Sequence, residues 1–205
     1  MKLLRYVSGF ALTVFLSGCF FISTFQGPEV LDKGEQVVQL GMSGLGSLGN
    51  GGGVSVPVFP ELTYRKGLGG YVDMGARLGI GMVGADVKYQ FLHGPLMAAA
   101  GVGGSVFGSL SGSDESAVLG VYPAFFVGGR RFYAGYRYIW LTGTADVWGS
   151  DATFSGGVSS VLLGATFGER WQFIPEVSVF LPTNGEGETF FSYGIGIRYR
   201  WGGQR

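Results

Sequence analysis

From Thr189 onward the chain alternates: Phe191, Tyr193, Ile195, Ile197, Tyr199 and Trp201 share one face of an extended strand, and Ser192, Gly194, Gly196, Arg198 and Arg200 the other. The same period of two runs from Trp171 (Phe173, Val177, Val179 and Leu181 against Gln172, Glu176 and Ser178) and from Val72 (Met74, Ala76, Leu78 and Ile80 against Asp73, Gly75, Arg77 and Gly79). Ten strands are predicted, at 35–46, 54–65, 71–80, 83–92, 95–108, 117–128, 131–142, 156–168, 170–181 and 189–201. In a soluble sandwich the polar face would be rich in lysine and glutamate. Here it mixes glycine, serine and a few charges, and aromatics gather at the ends of the apolar face, as in a membrane barrel. After residue 18 no run of 18 apolar residues occurs, so spanning helices are excluded and a closed barrel is the remaining way across a bilayer. Strands of this length, rising about 3.3 Å per residue and tilted about 40°, cover roughly 25 Å. The fold class expected is all-β: an antiparallel, up-and-down transmembrane β-barrel of ten strands. Pro60, Pro123 and Pro175 fall inside proposed strands, which calls for bulges there, or for eight strands if one of those segments is a loop.

The links give the barrel a direction. Short links at 66–70, 93–94, 129–130 and 169 alternate with longer ones at 47–53, 109–116, 143–155 and 182–188; only 81–82 breaks the pattern. Short turns belong to the periplasmic side, which puts both termini there. The outer loops carry Asp114, Glu115, Asp146, Asp151, Glu186 and Glu188 without a lysine or arginine. The inner turns and C-terminus carry Lys66, Arg130, Arg131, Arg170 and Arg205 with one acid, Glu169, a basic rim suited to anionic lipid. The outer acids read as solvated, since no D-x-D-x-D-G spacing joins them into a calcium loop.

Register sketches the lumen. Turning about Gly69 sets Arg65 opposite Asp73 and Glu61 opposite Arg77, and turning on Gly81 and Met82 sets Arg77 opposite Asp86. Lys88, Arg137, Glu176, Arg198 and Arg200 share the inward parity, giving six bases and four acids inside. Unpaired charges in a narrow lumen are costly, so the leading reading is a structural network that fills it. The alternative is a narrow, weakly anion-preferring pore lined by the surplus arginines.

The first residues read as an address: Lys2 and Arg5 precede the apolar stretch Tyr6 to Leu16. Leu16, Ser17, Gly18 and Cys19 then resemble the lipobox of bacterial lipoproteins, which implies acylation of Cys19 as the new N-terminus. That resemblance also implies outer-membrane sorting, because Phe20 stands where an aspartate commonly retains lipoproteins at the inner membrane. The expected organisation is a signal peptide over 1–18, a lipidated tether over 19–34 and the barrel over 35–205. The stretch from Phe20 to Lys33 lacks alternation and reads as a periplasmic tether or a lumen plug, with one helical turn allowed over Glu29 to Glu35.

Lipobox, alternating strands, short inner turns and an aromatic at Trp201 together resemble the small outer-membrane β-barrel proteins of diderm bacteria, although Gly202, Gly203, Gln204 and Arg205 follow the aromatic that usually ends such chains. The resemblance implies location in the outer membrane with the lipidated N-terminus on the periplasmic side, and partners in membrane lipid and in the outer-membrane assembly and lipoprotein-sorting machineries. It does not choose among adhesins, channels and enzymes.

Composition narrows the chemistry. The chain has 205 residues with 14 basic and 14 acidic groups, and its 14% charged content and neutrality argue against nucleic acid. One histidine, His93, lies in an inner turn with few serines or acids nearby, so no catalytic residue is assigned and an enzyme is not expected. One histidine and one cysteine form no metal site, and neither G-x-G-x-x-G string, Gly44 to Gly49 or Gly79 to Gly84, opens a helix, so no cofactor is expected. The function expected is a structural or surface-interaction role without catalysis. A further alternative is a lipid-anchored periplasmic barrel of lipocalin type, with apolar residues inside and polar ones outside.

Overall fold

A computed structural model describes residues 24–47, 56–108, 117–146, 151–183 and 189–203. Ten long strands form one antiparallel barrel: β1 (Gln36–Ser47), β2 (Val56–Gly69), β3 (Val72–Gly79), β4 (Met82–Leu92), β5 (Met97–Gly108), β6 (Ala117–Gly128), β7 (Phe132–Asp146), β8 (Asp151–Ala165), β10 (Trp171–Pro182) and β11 (Phe190–Trp201). A two-residue strand, β9 (Phe167–Gly168), continues the line of β8 beside β10. Each strand pairs with its neighbour in sequence, and β11 pairs with β1 from Gln36↔Trp201 to Ser47↔Phe190, which closes the ring. Closure gives the strand backbones partners on both sides.

All three prolines lie within strands, so the eight-strand alternative falls away. Bulges are not what accommodates two of them. At Pro123 the β6–β7 ladder skips from Val121↔Trp140 to Ala124↔Arg137, and at Pro175 the β10 ladder skips from Phe173↔Phe167 to Glu176↔Gly164, neither with any slip of register. Each proline keeps its pairing on the other flank, with Val102 and with Ile195. The missing N–H is absorbed as a one-sided gap. Pro60 sits one position past the last β2–β3 pair, Glu61↔Gly79.

Two registers differ from expectation. The β2–β3 chain turns on Gly70 and Tyr71, both at positive φ (62° and 63°), with a bulge between Gly67 and Gly69; facing numbers then run Thr63↔Arg77 and Gly67↔Asp73. The β3–β4 turn uses Ile80 and Gly81 (φ 67°), so Gly75 faces Asp86 and Asp73 faces Lys88. Both ladders are shifted by two residues, which moves every pairing yet keeps every side chain on its expected face. The β7–β8 hairpin is also longer than expected, its backbone paired out to Asp146↔Asp151, so the stretch read as an outer loop over 143–155 is mostly strand.

The faces are sharply different. Outward positions are apolar and exposed, among them Leu78, Leu163, Trp171, Ile195 and Ile197, each 47% to 66% exposed. Inward positions include Arg65, Asp73, Arg77, Lys88, Arg137 and Glu176, none more than 4% exposed. A lipocalin-type barrel needs the reverse arrangement, and that alternative is overturned by this inversion. Ile195→Arg is expected to lower folding free energy in lipid vesicles by roughly 2–4 kcal/mol, the cost of a charge near the bilayer midplane, as read from denaturant titration.

Candidate functional site

The lumen is filled by two different means. In the half away from the β1 start and β11 end, the half expected from the turn lengths to be the outer one, Leu45, Val118, Tyr122, Ile139, Leu141, Phe180 and Phe190 meet as a buried apolar cluster, with Phe107 and Val158 packed against it. These side chains come from β1, β6, β7, β10 and β11 and share the inward parity of the charges below them. Among the described residues, wall side chains close this half.

The inner half holds the chain's own N-terminal segment. Residues 24–33 run from mid-barrel, where Thr24 meets Glu176, down to a turn at Lys33 and Gly34 beside the inner rim. The helical turn allowed over Glu29 to Glu35 is not formed; instead the Glu35 N–H donates to the Asp32 carbonyl at 2.9 Å. The wall holds this segment largely by its main chain. Glu176 accepts hydrogen bonds from the N–H of Thr24 (2.7 Å), the N–H of Phe25 (2.8 Å), the Thr24 hydroxyl (2.9 Å) and the Tyr133 hydroxyl (3.0 Å). Lys88 donates to the carbonyls of Gly27 (2.9 Å) and Glu29 (2.7 Å), and Arg198 to that of Phe25. Gln90 and Asp73 accept from the N–H groups of Val30 (3.0 Å) and Leu31 (3.3 Å).

Two glycines make room for it. At Gly67 a Cβ would stand 2.0 Å from the Asp32 carbonyl oxygen, and at Gly41 it would stand 2.5 Å from the Phe25 ring. Phe25 is fully buried among Phe126, Tyr133, Leu162 and Ile174, and that burial holds it at φ 47°, a conformation a phenylalanine rarely adopts. Between the segment and the wall lies a cavity of about 10 Å³, lined by Thr24, Gln26, Arg77, Lys88 and Tyr122 among others, which is room for about one water.

The charges expected inward form a ladder of ion pairs. Arg65 bridges Asp73 and Asp86, Arg77 Nε reaches Asp86 at 3.1 Å, and Lys88 Nζ lies 3.7 Å from Asp73. The pairs Arg65 with Asp73 and Arg77 with Asp86 were expected as direct cross-strand partners, and here they meet diagonally because long side chains span a two-residue offset. Arg137 lies over the Tyr122 ring at 5.5 Å, and Glu61 is buried beside Gly41, against which Phe25 packs. Arg198 donates to Gln39 at 3.0 Å and Gln172 at 3.4 Å, while Arg200 bridges Glu29 and Glu35.

From the sequence those last two acids were read only as the bounds of an allowed helical turn, not as lumen charges. Among the described residues they set two acids against Arg200 and offset the surplus of inward bases that suggested anion preference. Gln39, Gln90 and Tyr133 were also passed over, although inward parity marks each of them; attention to charge alone hid them. At the inner mouth a polar cavity of about 550 Å³ lies between the segment and the strand ends, lined by Asp32, Glu35, Arg130, Arg170, Gln172 and Arg200 among others. His93 sits in an inner turn with its ring 3.7 Å from that of Tyr71, far in the fold from the outer rim. Asp114, Glu115, Glu186, Glu188, Arg205 and Cys19 lie outside the described residues, as do the side chains of Asp146 and Asp151.

Burial pushes the Glu35 carboxyl up, but its hydrogen bonds with Arg200 and the Asp32 N–H, and the charge of Arg200, outweigh this and hold it below the usual carboxylate range. A depressed value stabilises the folded state above the ordinary value of about 4.3, and that contribution is lost as pH falls through the folded value. Amide exchange at Gly34 and Gly67, corrected for intrinsic rate, is therefore expected to rise below about pH 4, with Glu35→Gln removing that dependence. Phe25→Ala is expected to weaken docking of the segment by roughly 3 kcal/mol, seen as faster exchange at Thr24, Phe25, Val30 and Leu31 with strand amides unchanged.

No protein-family model matches the chain, and no curated protein matches its sequence. Among solved structures it is similar to Ail, the attachment invasion locus protein of Yersinia pestis, at 11% identity over 82% of this chain and 99% of that one, with a TM-score of 0.36. It is also similar to an outer membrane channel from Pseudomonas putida F1 (10% identity, 84% and 97% covered, TM-score 0.42) and to the outer membrane protease OmpT from Escherichia coli (12% identity, 85% and 100% covered, TM-score 0.38).

Proposed function

We propose that the chain is a bacterial outer-membrane β-barrel, lipid-anchored through Cys19 on the periplasmic side, that serves as a structural or surface-interaction protein without catalysis. The observation that carries this reading is the doubly closed lumen: an apolar cluster from the wall above, and residues 24–33 below, with inward charges held by ion pairs and by hydrogen bonds to that segment. An ion crossing it would have to displace a main-chain segment held from β3, β4, β10 and β11, and then leave its hydration in the cluster around Leu141 and Phe180. Two such barriers in series disfavour a pore.

What remains available for function is the outer end. Among the described strands β7 and β8, with 15 residues each, are the longest, and they pair out to Asp146↔Asp151. Acidic loops beside them would present a negative surface to a partner. The absence of catalysis rests on chemistry: the only histidine is in an inner turn, away from the loops that would receive a substrate.

Single-channel recording in a planar bilayer tests the reading. The folded wild-type protein is expected to be silent, and a Phe25→Ala, Glu176→Gln variant with a loosened segment is expected to stay silent because the outer cluster persists. Discrete steps in the wild type would establish the pore and overturn the sealed barrel.

A further inference from the structure

The described exterior is largely apolar, and one stretch of it is hollow. A groove of about 610 Å³ crosses β7, β8, β10, β11 and β1, lined by Phe132, Leu163, Pro175, Val177, Ile195 and Met42 among others. It overlies the one-sided gap in the ladder at Pro175, where Ala165, Thr166, Ile174 and Pro175 lack partners across the β8–β10 seam. Small residues form its floor there, and large side chains on the flanking strands form its walls.

The groove has a direction. Phe132↔Ala165, Pro175↔Ile195 and Met42↔Ile195 are lateral pairs, and Ala165 continues the register of Gly164↔Glu176 toward Pro175. With strands about 4.8 Å apart and tilted about 40°, each step along this row climbs roughly 3 Å. The row therefore starts at the inner rim, where β7 begins at Phe132 and β8 ends at Ala165, and rises to mid-barrel at Met42. That row is inclined about 50° to the bilayer normal, so an acyl chain lying in it leans along the wall as it rises from the rim.

The rim end is cationic. Arg130 and Arg131 immediately precede Phe132, and the Thr166 N–H donates to the Arg131 carbonyl at 2.8 Å, fixing that turn against the end of β8. Arg170 precedes Trp171 on the next turn, its carbonyl accepting from the Arg200 N–H at 2.9 Å. All three arginines are exposed; Arg130 and Arg170 also line the polar cavity at the inner mouth together with Glu35 and Glu169, and among the described residues no carboxylate is within ion-pair distance of any of the three. Unpaired guanidiniums at the level of lipid headgroups suit a phosphate.

We propose that the β8–β10 seam is a binding site for one anionic phospholipid, with an acyl chain in the groove from Phe132 to Met42 and the phosphate on Arg131 and Arg170 at the inner rim. The groove supplies the shape and continues the lipid-facing surface, while the rim supplies the charge that separates phosphatidylglycerol from a zwitterionic lipid of the same tails. The proposal rests on the reading of the chain as a membrane barrel.

Native mass spectrometry of the detergent-solubilised full chain tests it, with phosphatidylglycerol, phosphatidylcholine and glycerol 3-phosphate as separate probes. A gel comparing unboiled and boiled samples checks first that each protein is a folded barrel; failure there overturns the barrel reading and not the site alone. In the folded protein a distinct, saturable first step is expected for phosphatidylglycerol, weaker for phosphatidylcholine and absent for glycerol 3-phosphate. Arg131→Ala with Arg170→Ala is expected to reduce the preference for phosphatidylglycerol by roughly fivefold per arginine. Val177→Trp, placed on the lipid-exposed wall where a large side chain is tolerated, is expected to abolish the distinct first step for both lipids. Retention of phosphatidylglycerol by the Val177→Trp protein equal to that of the wild type, equal uptake of both lipids by the wild type, or binding of glycerol 3-phosphate as tight as that of the lipid would each overturn the proposal.

Discussion

Hydrocarbon offers no partner to a backbone N–H or C=O, and the rest of this structure follows from the ring of hydrogen bonds that meets that constraint. Closure of β11 on β1 removes the sheet edges, and because side chains alternate along a strand, it also divides the chain into an outside and an inside. The outside is apolar. The inside of a ten-stranded ring is too narrow to be left as open water among unpaired charges and too wide for small side chains alone, so it has to be filled.

Filling takes opposite forms in the two halves. Toward the outer end the wall supplies leucine, isoleucine and phenylalanine, and burial of apolar surface suffices. Toward the inner end it supplies arginine, lysine and carboxylates, whose burial is tolerable only if each finds an opposite charge or a dipole. The segment from Thr24 to Lys33 brings what the wall lacks: carbonyls for Lys88 and Arg198, N–H groups for Glu176 and Asp73, and a carboxylate, Glu29, for Arg200. Its main chain is an extended set of donors and acceptors in a place with no sheet edge to receive them. Wall and segment each satisfy groups that the other would leave buried and unpaired, which is why a stretch without regular structure is held along most of its length.

The prolines show the same rule from the other direction. Each removes one donor from a ladder, and the barrel tolerates this where only one flank loses a partner. At Pro175 the consequence reaches the outer face, because the gap in the β8–β10 ladder coincides with an apolar groove in the wall.

Much of this was legible from the sequence because one physical rule, alternation at a period of two, decides the face of every strand residue whatever its partner. The ten strands, the apolar exterior and the inward position of Arg77, Arg137 and Glu176 all follow from parity, and parity survives a register error of two residues. What pairs with what did not follow: whether β2 turns at Gly69 or at Gly70 and Tyr71 depends on backbone conformations at positive φ and on a bulge between Gly67 and Gly69, which the period of two does not specify. Nor could the sequence assign Thr24 to Lys33 between tether and plug, since that segment has no periodicity and its bonds are to main-chain atoms that every residue possesses. Its location is decided only where the wall, once closed, presents buried charges in need of partners. Local pattern determined which side of the barrel each residue faces; long-range electrostatic compensation, available only in the assembled lumen, decided what fills it.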